Sequence, residues 1–221
     1  MRWMPLLPLA LLAGACQVIQ EPTFACTDEG WPSVVVEVRE ASGQPAARGA
    51  SLLIRDGEFV DSAGPADAFD GLTLGAGNRR AGTYEVRVSK PGYQAVSVGR
   101  VRVPTGPCGA KEAVRVGVTL RLLPGAPPVR SVVVYPPAMG LGLPGIRVQM
   151  RAYVDADAGI DTTVAWSISD TTVATLTPEG LLTSRCRARS GDAVVTATSR
   201  ADPSRRGHGQ VTVWAPSTPC T

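Results

Sequence analysis

Apolar and polar residues alternate with a period of two along most of this chain, and that pattern commits it to β-structure. In Ser33 to Glu40, SVVVEVRE, Val34, Val36 and Val38 share one face, and Val35, Glu37 and Arg39 share the other. Successive side chains of a strand point to opposite faces, so the segment predicts a half-buried strand. The pattern returns in TYEVRVS at Thr83 to Ser89 and in AVRVGVTLRLL at Ala113 to Leu123. It returns again at Ile146 to Val154, where Ile146, Val148, Met150 and Ala152 oppose Arg147, Gln149, Arg151 and Tyr153. Long segments of helical period are absent from the sequence. With 24 Gly and 19 Pro, the short runs are densely punctuated. Short alternating runs separated by such residues predict an all-β fold. A hydrophobic content of 44% can build a real core, and 221 residues suit one or two domains.

Further runs extend this reading. Ala50 to Arg55 predicts a strand, with Asp56-Gly57 as a turn before Glu58 to Asp61. Residues 62–82, rich in Gly, Ala and Asp, predict the least regular part. Lys90-Pro91-Gly92 places Pro and Gly in the favoured turn order. Tyr93 to Val103 follows, with an interruption near Gly99. Leu123 then gives way to Pro124-Gly125-Ala126-Pro127-Pro128, whose three prolines predict a semi-rigid linker. Beyond it, strands are predicted at Val132 to Tyr135, Ile146 to Val154, Thr163 to Ser169, Val173 to Leu176, Leu181 to Ser184, Ala193 to Thr198 and Gln210 to Trp214. Seven strands at this spacing predict a sandwich. The expected organisation is therefore two β-sandwich domains, at residues 26–123 and 129–221, joined by the linker at 124–128.

The N-terminus has a different character. MRWMPLLPLALLAGAC carries Arg2, a short apolar stretch from Leu6 to Leu12, and the small residues Ala13, Gly14 and Ala15. The stretch is far below the roughly 20 apolar residues of a membrane-spanning helix, and its parts are those of a secretory signal. Ala13-x-Ala15 suits ordinary signal peptidase. Leu12-Ala13-Gly14-Ala15-Cys16 also resembles a bacterial lipobox, in which the cysteine becomes the lipidated first residue; the departure is Ala13, where that motif usually has leucine. The cysteine count bears on the choice. There are 5 Cys, at positions 16, 26, 108, 186 and 220, and an odd cysteine in an exported chain is a reactive loose end. Lipid on Cys16 leaves four that can pair. The favoured reading is a signal peptide at residues 1–15, lipidation of Cys16 and a tether at 16–25. Four cysteines allow three connectivities. Cys26 lies just before the first strand of its half and Cys108 just before the last, while Cys220 follows the final strand and can fold back on Cys186. The expected pairs are Cys26 with Cys108 and Cys186 with Cys220, since any other choice clamps the linker twice.

Little in the sequence points to chemistry. Arginine far outnumbers lysine, which occurs only at Lys90 and Lys111, and the formal net charge is +3. Arg185, Arg187 and Arg189 alternate, so a strand would place them on one face; such a run reads as a solvated face rather than a nucleic-acid stripe. His208, the 1 His of the chain, sits between two glycines in the extended polar loop expected at residues 201–209. Asp155, Asp157 and Asp161 suggest a calcium loop, but Gly159 stands where an oxygen donor is needed, and the string reads as an acidic turn. Trp166 falls on an apolar strand face and predicts core; Trp31 and Trp214 predict packing at core edges. Neither a cofactor nor a metal is expected, and no catalytic residue is assigned.

Two resemblances add to this. Ser131-Val132-Val133-Val134 with Pro136, Val148-Gln149-Met150-Arg151-Ala152, Thr163 to Asp170, Val173-Ala174-Thr175-Leu176, Gly180-Leu181-Leu182-Thr183 and Gly191 to Thr198 follow one another in an order and spacing that resembles the bacterial immunoglobulin-like domain, group 2, over about residues 129–215. Cys186 and the 201–209 segment depart from that pattern. Val34-Val35-Val36-Glu37-Val38 with Gly43-x-Pro45, Gly82-Thr83-Tyr84-x-Val86-x-Val88 and Gly92-Tyr93 look like a carboxypeptidase regulatory-like domain, a transthyretin-type sandwich, over residues 26–123. The first resemblance implies a spacer, adhesive or binding module at cell surfaces, and neither carries catalytic residues over. The expected function is a non-catalytic lipoprotein of the bacterial cell envelope, held to the membrane through Cys16 and engaging an envelope polymer, a glycan or a surface protein. A glycan-binding accessory module for polysaccharide capture is the alternative.

Overall fold

The computed structural model describes residue 26 and residues 30–68 and 70–215, and all its regular elements are strands. The first half builds β1 (Val34–Glu40), β2 (Ser51–Asp56), β3 (Phe59–Ala63), β4 (Thr73–Ala76), β5 (Gly82–Ser89), β6 (Val96–Val103), the short hairpin of β7 (Thr105–Gly106) and β8 (Gly109–Ala110), and β9 (Val114–Leu120). One sheet runs β4-β1-β9, with β1 and β9 parallel in register from Val34↔Val114 to Glu40↔Leu120. The other runs β3-β2-β5-β6, antiparallel throughout.

The alternation read in the sequence decides which faces meet. Val34, Val36 and Val38 of β1 are fully buried against Leu52 and Ile54 of β2 and Tyr84, Val86 and Val88 of β5. Burying a side chain of this size contributes about 1.5–3 kcal/mol, so β1 alone is a large share of the core. Tyr84 carries a hydroxyl into that core, and it is satisfied by donating 2.8 Å to the Arg80 carbonyl. The segment expected to be irregular does contain a strand, β4, which covers the exposed edge of β1. The interruption expected near Gly99 is a bulge within β6, where Gly99 and Arg100 together face Glu85 and Arg100 takes a φ of +59°, and the expected strand from Tyr93 begins later, at Val96.

The second half builds β10 (Val129–Tyr135), β11 (Ala138–Leu141), β12 (Arg147–Gln149), β13 (Arg151–Ala156), β14 (Val164–Ile168), β15 (Ala174–Leu176), β16 (Leu181–Ser184), β17 (Gly191–Ser199) and β18 (Arg206–Val213). β12 and β13 are one run interrupted only at Met150, which is buried. They carry β10 and the β16-β15 pair, giving one layer; β11-β18-β17-β14 is the other. Strand β10 pairs in the first layer and β11 in the second, so the chain changes sheet at Pro136-Pro137. This order is that of an immunoglobulin-like sandwich. Its core, centred on Val134, Met150, Leu182, Val195 and Val211, is separate from that of the first half.

Two expectations are corrected here. The chain is already in β18 at Arg206, so the loop is shorter than residues 201–209 and His208 is a strand residue. Gly-His-Gly looked like a loop because it lacks side chains to bury. The two glycines are in the strand because β10 crosses close over it: a Cβ on Gly207 would lie 2.6 Å from the Val132 carbonyl oxygen, and one on Gly209 3.0 Å from Val134 Cγ1. Arg185, Arg187 and Arg189 do not share a strand face, because β16 ends at Ser184. Arg187 turns instead to Asp170 and donates 2.6 Å to Thr172 Oγ1.

Candidate functional site

Four parts of the sequence meet where the two sandwiches join. The turn after β5 brings Lys90 and Tyr93. The end of β1 brings Glu40. The starts and ends of β10 and β13 bring Arg130, Asp155 and Asp157. Lys90 Nζ lies 2.9 Å from Asp155 Oδ2, and Arg130 donates to Asp155 Oδ1 through Nε at 3.0 Å and Nη2 at 2.7 Å. Arg130 Nη1 holds Asp157. The side chains of Lys90 and Arg130 are each 5% exposed and that of Asp155 is 15% exposed, so this is a nearly buried cluster. Tyr93 donates to Glu40 at 2.6 Å, and its ring lies beneath the Lys90 ammonium at 4.9 Å.

The electrostatics follow from the burial. Removal from water, then the hydrogen bond to Glu40, raises the Tyr93 pKa well above the ordinary phenol range. Burial alone would lower the pKa of Arg130; hydrogen bonds to Asp155 and Asp157 and their charge outweigh it and keep the guanidinium firmly protonated. Gly92 makes room for this: its φ of +78° suits glycine, and a Cβ there would lie 2.6 Å from Arg130 Cδ. Two of the three aspartates that hinted at a calcium loop are thus spent on cations of the chain itself, Asp155 near the end of β13 and Asp157 just past it, while Asp161 accepts from the backbone and hydroxyl of Thr163. Among the described residues no group of His, Cys, Asp and Glu is arranged to hold a metal ion.

Beside this cluster the junction opens into a cleft of about 510 Å³. Arg48, Pro65, Ala66 and Ala68 form one wall. Tyr135, Gln149, Arg151 and Tyr153, on the outer faces of β10, β12 and β13, form the other. The Arg48 guanidinium lies 4.1 Å above the centre of the Tyr153 ring, a cation–π contact that also joins the two halves. A second lobe of about 380 Å³ shares Arg48 and Tyr153 and reaches Glu40, Lys90, Ser131 and Asp155. There Ser131 Oγ is buried without a hydrogen-bond partner. The volume and the mixture of apolar walls with a few polar groups are those of small-molecule sites.

Apart from Asp155 and Asp157, the residues singled out in the sequence lie elsewhere. Cys26 and Cys108 form a disulfide with Cα atoms 5.5 Å apart, at the end of the first sandwich where β1 begins. Cys186 is disulfide-bonded; Cys220, its expected partner, and Cys16 lie outside the described residues. His208 Nδ1 lies 3.1 Å from Thr196 Oγ1, its cross-strand neighbour on an exposed sheet face. Trp166 packs against the second core and Trp31 against the first. Trp214 is 54% exposed and lies across Gly140. Sequence reasoning missed the cleft, since its walls come from segments far apart in the chain; one usable signal was Lys90, one of two lysines.

No family model and no curated protein matches the chain. Solved structures with similar chains include Drosophila N-cadherin EC1-4, at 13% identity and a TM-score of 0.33, covering 76% of this chain and 41% of that one. They include the C-terminal 282-residue fragment of intimin in complex with the intimin-binding domain of its translocated receptor, at 10% identity and a TM-score of 0.28, covering 87% and 65%. BcpA, the major pilin subunit of Bacillus cereus, aligns at 12% identity and a TM-score of 0.29, covering 82% and 68%. The chain spans less than two thirds of the N-cadherin and intimin chains. The sandwich assignment rests on the strand order and register above.

Proposed function

We propose that this protein is a non-catalytic adhesion or binding module of the bacterial cell envelope, tethered through lipid on Cys16 after removal of residues 1–15. Its two units, at residues 26–123 and 129–221, correspond to the carboxypeptidase regulatory-like and group 2 bacterial immunoglobulin-like resemblances. One observation carries the reading. The chain enters the first sandwich at the end away from the junction, beside Cys26–Cys108, and β10, β11 and β18 all run away from the junction in the second. The buried Lys90–Asp155–Arg130 cluster ties the halves together between those ends. A tethered chain built this way holds the junction cleft at a distance from its anchor, which suits display rather than catalysis.

The test is metabolic labelling with a fatty acid. The wild-type chain takes up label and sediments with membranes, and Cys16→Ser loses both. Undiminished labelling of Cys16→Ser overturns the anchor, and release of substrate-derived product by the purified chain from an envelope polymer overturns the non-catalytic assignment. The glycan-binding alternative is favoured by the two tyrosines of the cleft.

A further inference from the structure

We propose that the junction cleft binds an acidic saccharide, with Arg151 as the residue that recognises its carboxylate. The inference deepens the binding-module reading above and rests on it.

The charge of the lining is the first argument. Arg48 and Arg151 face the larger lobe, and among the described residues no carboxylate lines it. The acids of the junction, Glu40 and Asp155, sit in the other lobe, where Tyr93, Lys90 and Arg130 occupy them. Arg151 is exposed and makes no ion pair among the described residues, while Arg48 is held in place over Tyr153. The planar fork of a guanidinium matches a carboxylate in two parallel hydrogen bonds. An anion in this lobe meets the positive charge of Arg151, with no described carboxylate of the lining to oppose it.

The rest of the lining narrows the class. The Tyr135 ring and the Tyr153 ring, the latter capped by Arg48, give the lobe flat apolar walls, suited to a ligand with one apolar face and a hydroxylated rim. The Gln149 amide nitrogen is spent on the carbonyls of Met150 and Glu179, at 2.9 and 2.8 Å. Its oxygen is left to accept a hydrogen bond, which a sugar hydroxyl supplies. An inorganic anion would use the arginines and ignore the rings. A purely apolar ligand would take Arg151 from water without a partner, at a cost in free energy. A hydroxylated ring bearing a carboxylate, the unit of uronic-acid polymers, uses all three features, and the cleft volume accommodates a short stretch of such a chain.

Calorimetric titration of the full chain tests this with three probes: the galacturonic acid trimer, the same trimer with its carboxylates reduced to alcohols, and triglutamate. The acid trimer is expected to bind, with added salt weakening it. The reduced trimer and triglutamate are expected to bind roughly tenfold more weakly or worse, the value of one charge-assisted contact. Arg151→Gln is expected to lose a similar factor for the acid trimer with an unchanged melting temperature, since the side chain is exposed. Equal affinity for the acid and reduced trimers, tighter binding of triglutamate, no binding of the acid trimer at millimolar concentration, or full affinity in Arg151→Gln each overturns the inference. Capture of the reduced trimer or of triglutamate would leave a binding module with a different ligand. The fatty-acid labelling experiment, which does not involve the cleft, judges the underlying reading separately.

Discussion

Lys90, just past the end of β5, and Asp155, near the end of β13, meet at 2.9 Å across the junction with their side chains almost removed from water. Asp155 also accepts from Arg130, so one carboxylate serves two buried cations. Taking that carboxylate's charge away leaves Lys90 without a counter-ion and Arg130 with only the half-exposed Asp157, and breaking a buried pair in this way costs about 3–5 kcal/mol. Asp155→Asn is therefore expected to lower the denaturant midpoint of the full chain strongly. Lys90→Met is expected to cost clearly less, because Asp155 keeps Arg130. Equal effects of the two substitutions in urea unfolding would show that the cluster does not work as a unit.

The cores on either side of residues 124–128 share no buried residue. Residues 129–221 expressed alone are expected to unfold in a single cooperative transition, at a lower temperature than in the full chain, because Arg130 and Asp155 lose Lys90. A fragment without a cooperative transition would mean that the halves form one folding unit.

The Cys26–Cys108 bond closes a loop with a sequence separation of 82. In the chain-entropy model a loop of that length stabilises its domain by about 4–5 kcal/mol. Cys26→Ser with Cys108→Ser is expected to lose most of this from the first sandwich while the melting of the isolated second one stays fixed. Calorimetry of the variant, set against the fragment, reads the two separately.

Gly207 and Gly117 give opposite outcomes. A Cβ at Gly207 runs into the Val132 carbonyl, whereas nothing lies within 4 Å of one at Gly117 in β9. Gly207→Ala is expected to destabilise by about 1–3 kcal/mol through overpacking. Gly117→Ala is expected to be neutral or slightly stabilising, because it restricts the unfolded chain without strain. A thermal shift of the same sign and size in both variants would remove the close crossing of β10 over β18 as the cause.

Acid should weaken the fold through a set of aspartates that cap turns. Burial works against the charge of Asp70, but backbone hydrogen bonds from Thr73 and Leu72 lower its pKa. Asp161 is lowered by the Thr163 backbone, and Asp170 and Asp202 by the side chains of Thr172 and Ser204. A carboxyl with a folded pKa below its unfolded value of about 3.9 stabilises fully above that value and loses the effect as pH falls through the folded pKa. The melting temperature is therefore expected to be level from neutral pH down to about 5 and to drop below about 4. A decline that begins above pH 6 would point to other groups.

Much of the fold was legible because alternation is a local signal. β1, β5, β9, β14 and β17 each carry their buried face in their own residues. β4 and β11 escaped because TLGA and AMGL are short and flanked by glycine or proline, and their pairing partners, not their composition, make them strands. His208 was misplaced for the same reason, since the glycines beside it answer to β10. The cleft was less legible still. Asp155 is an ordinary acidic residue by sequence, and only the turn after β5 and the bulged start of β10 make it the centre of a junction.

The disulfide has a mechanical consequence. Tension applied upstream of Cys26 and at the far end of the second sandwich passes through the sulfur–sulfur bond to Cys108 and then along β9 to the junction. β9 is already extended and lies parallel to β1 over seven residue pairs, from Val34↔Val114 to Glu40↔Leu120. Load along that path is carried by the covalent bonds of a strand with little length left to give, and the ladder to β1 is not pulled apart. The chain between the two cysteines, including β1 to β6, is bypassed by the force. The first sandwich should behave under pull as a short, nearly inextensible link.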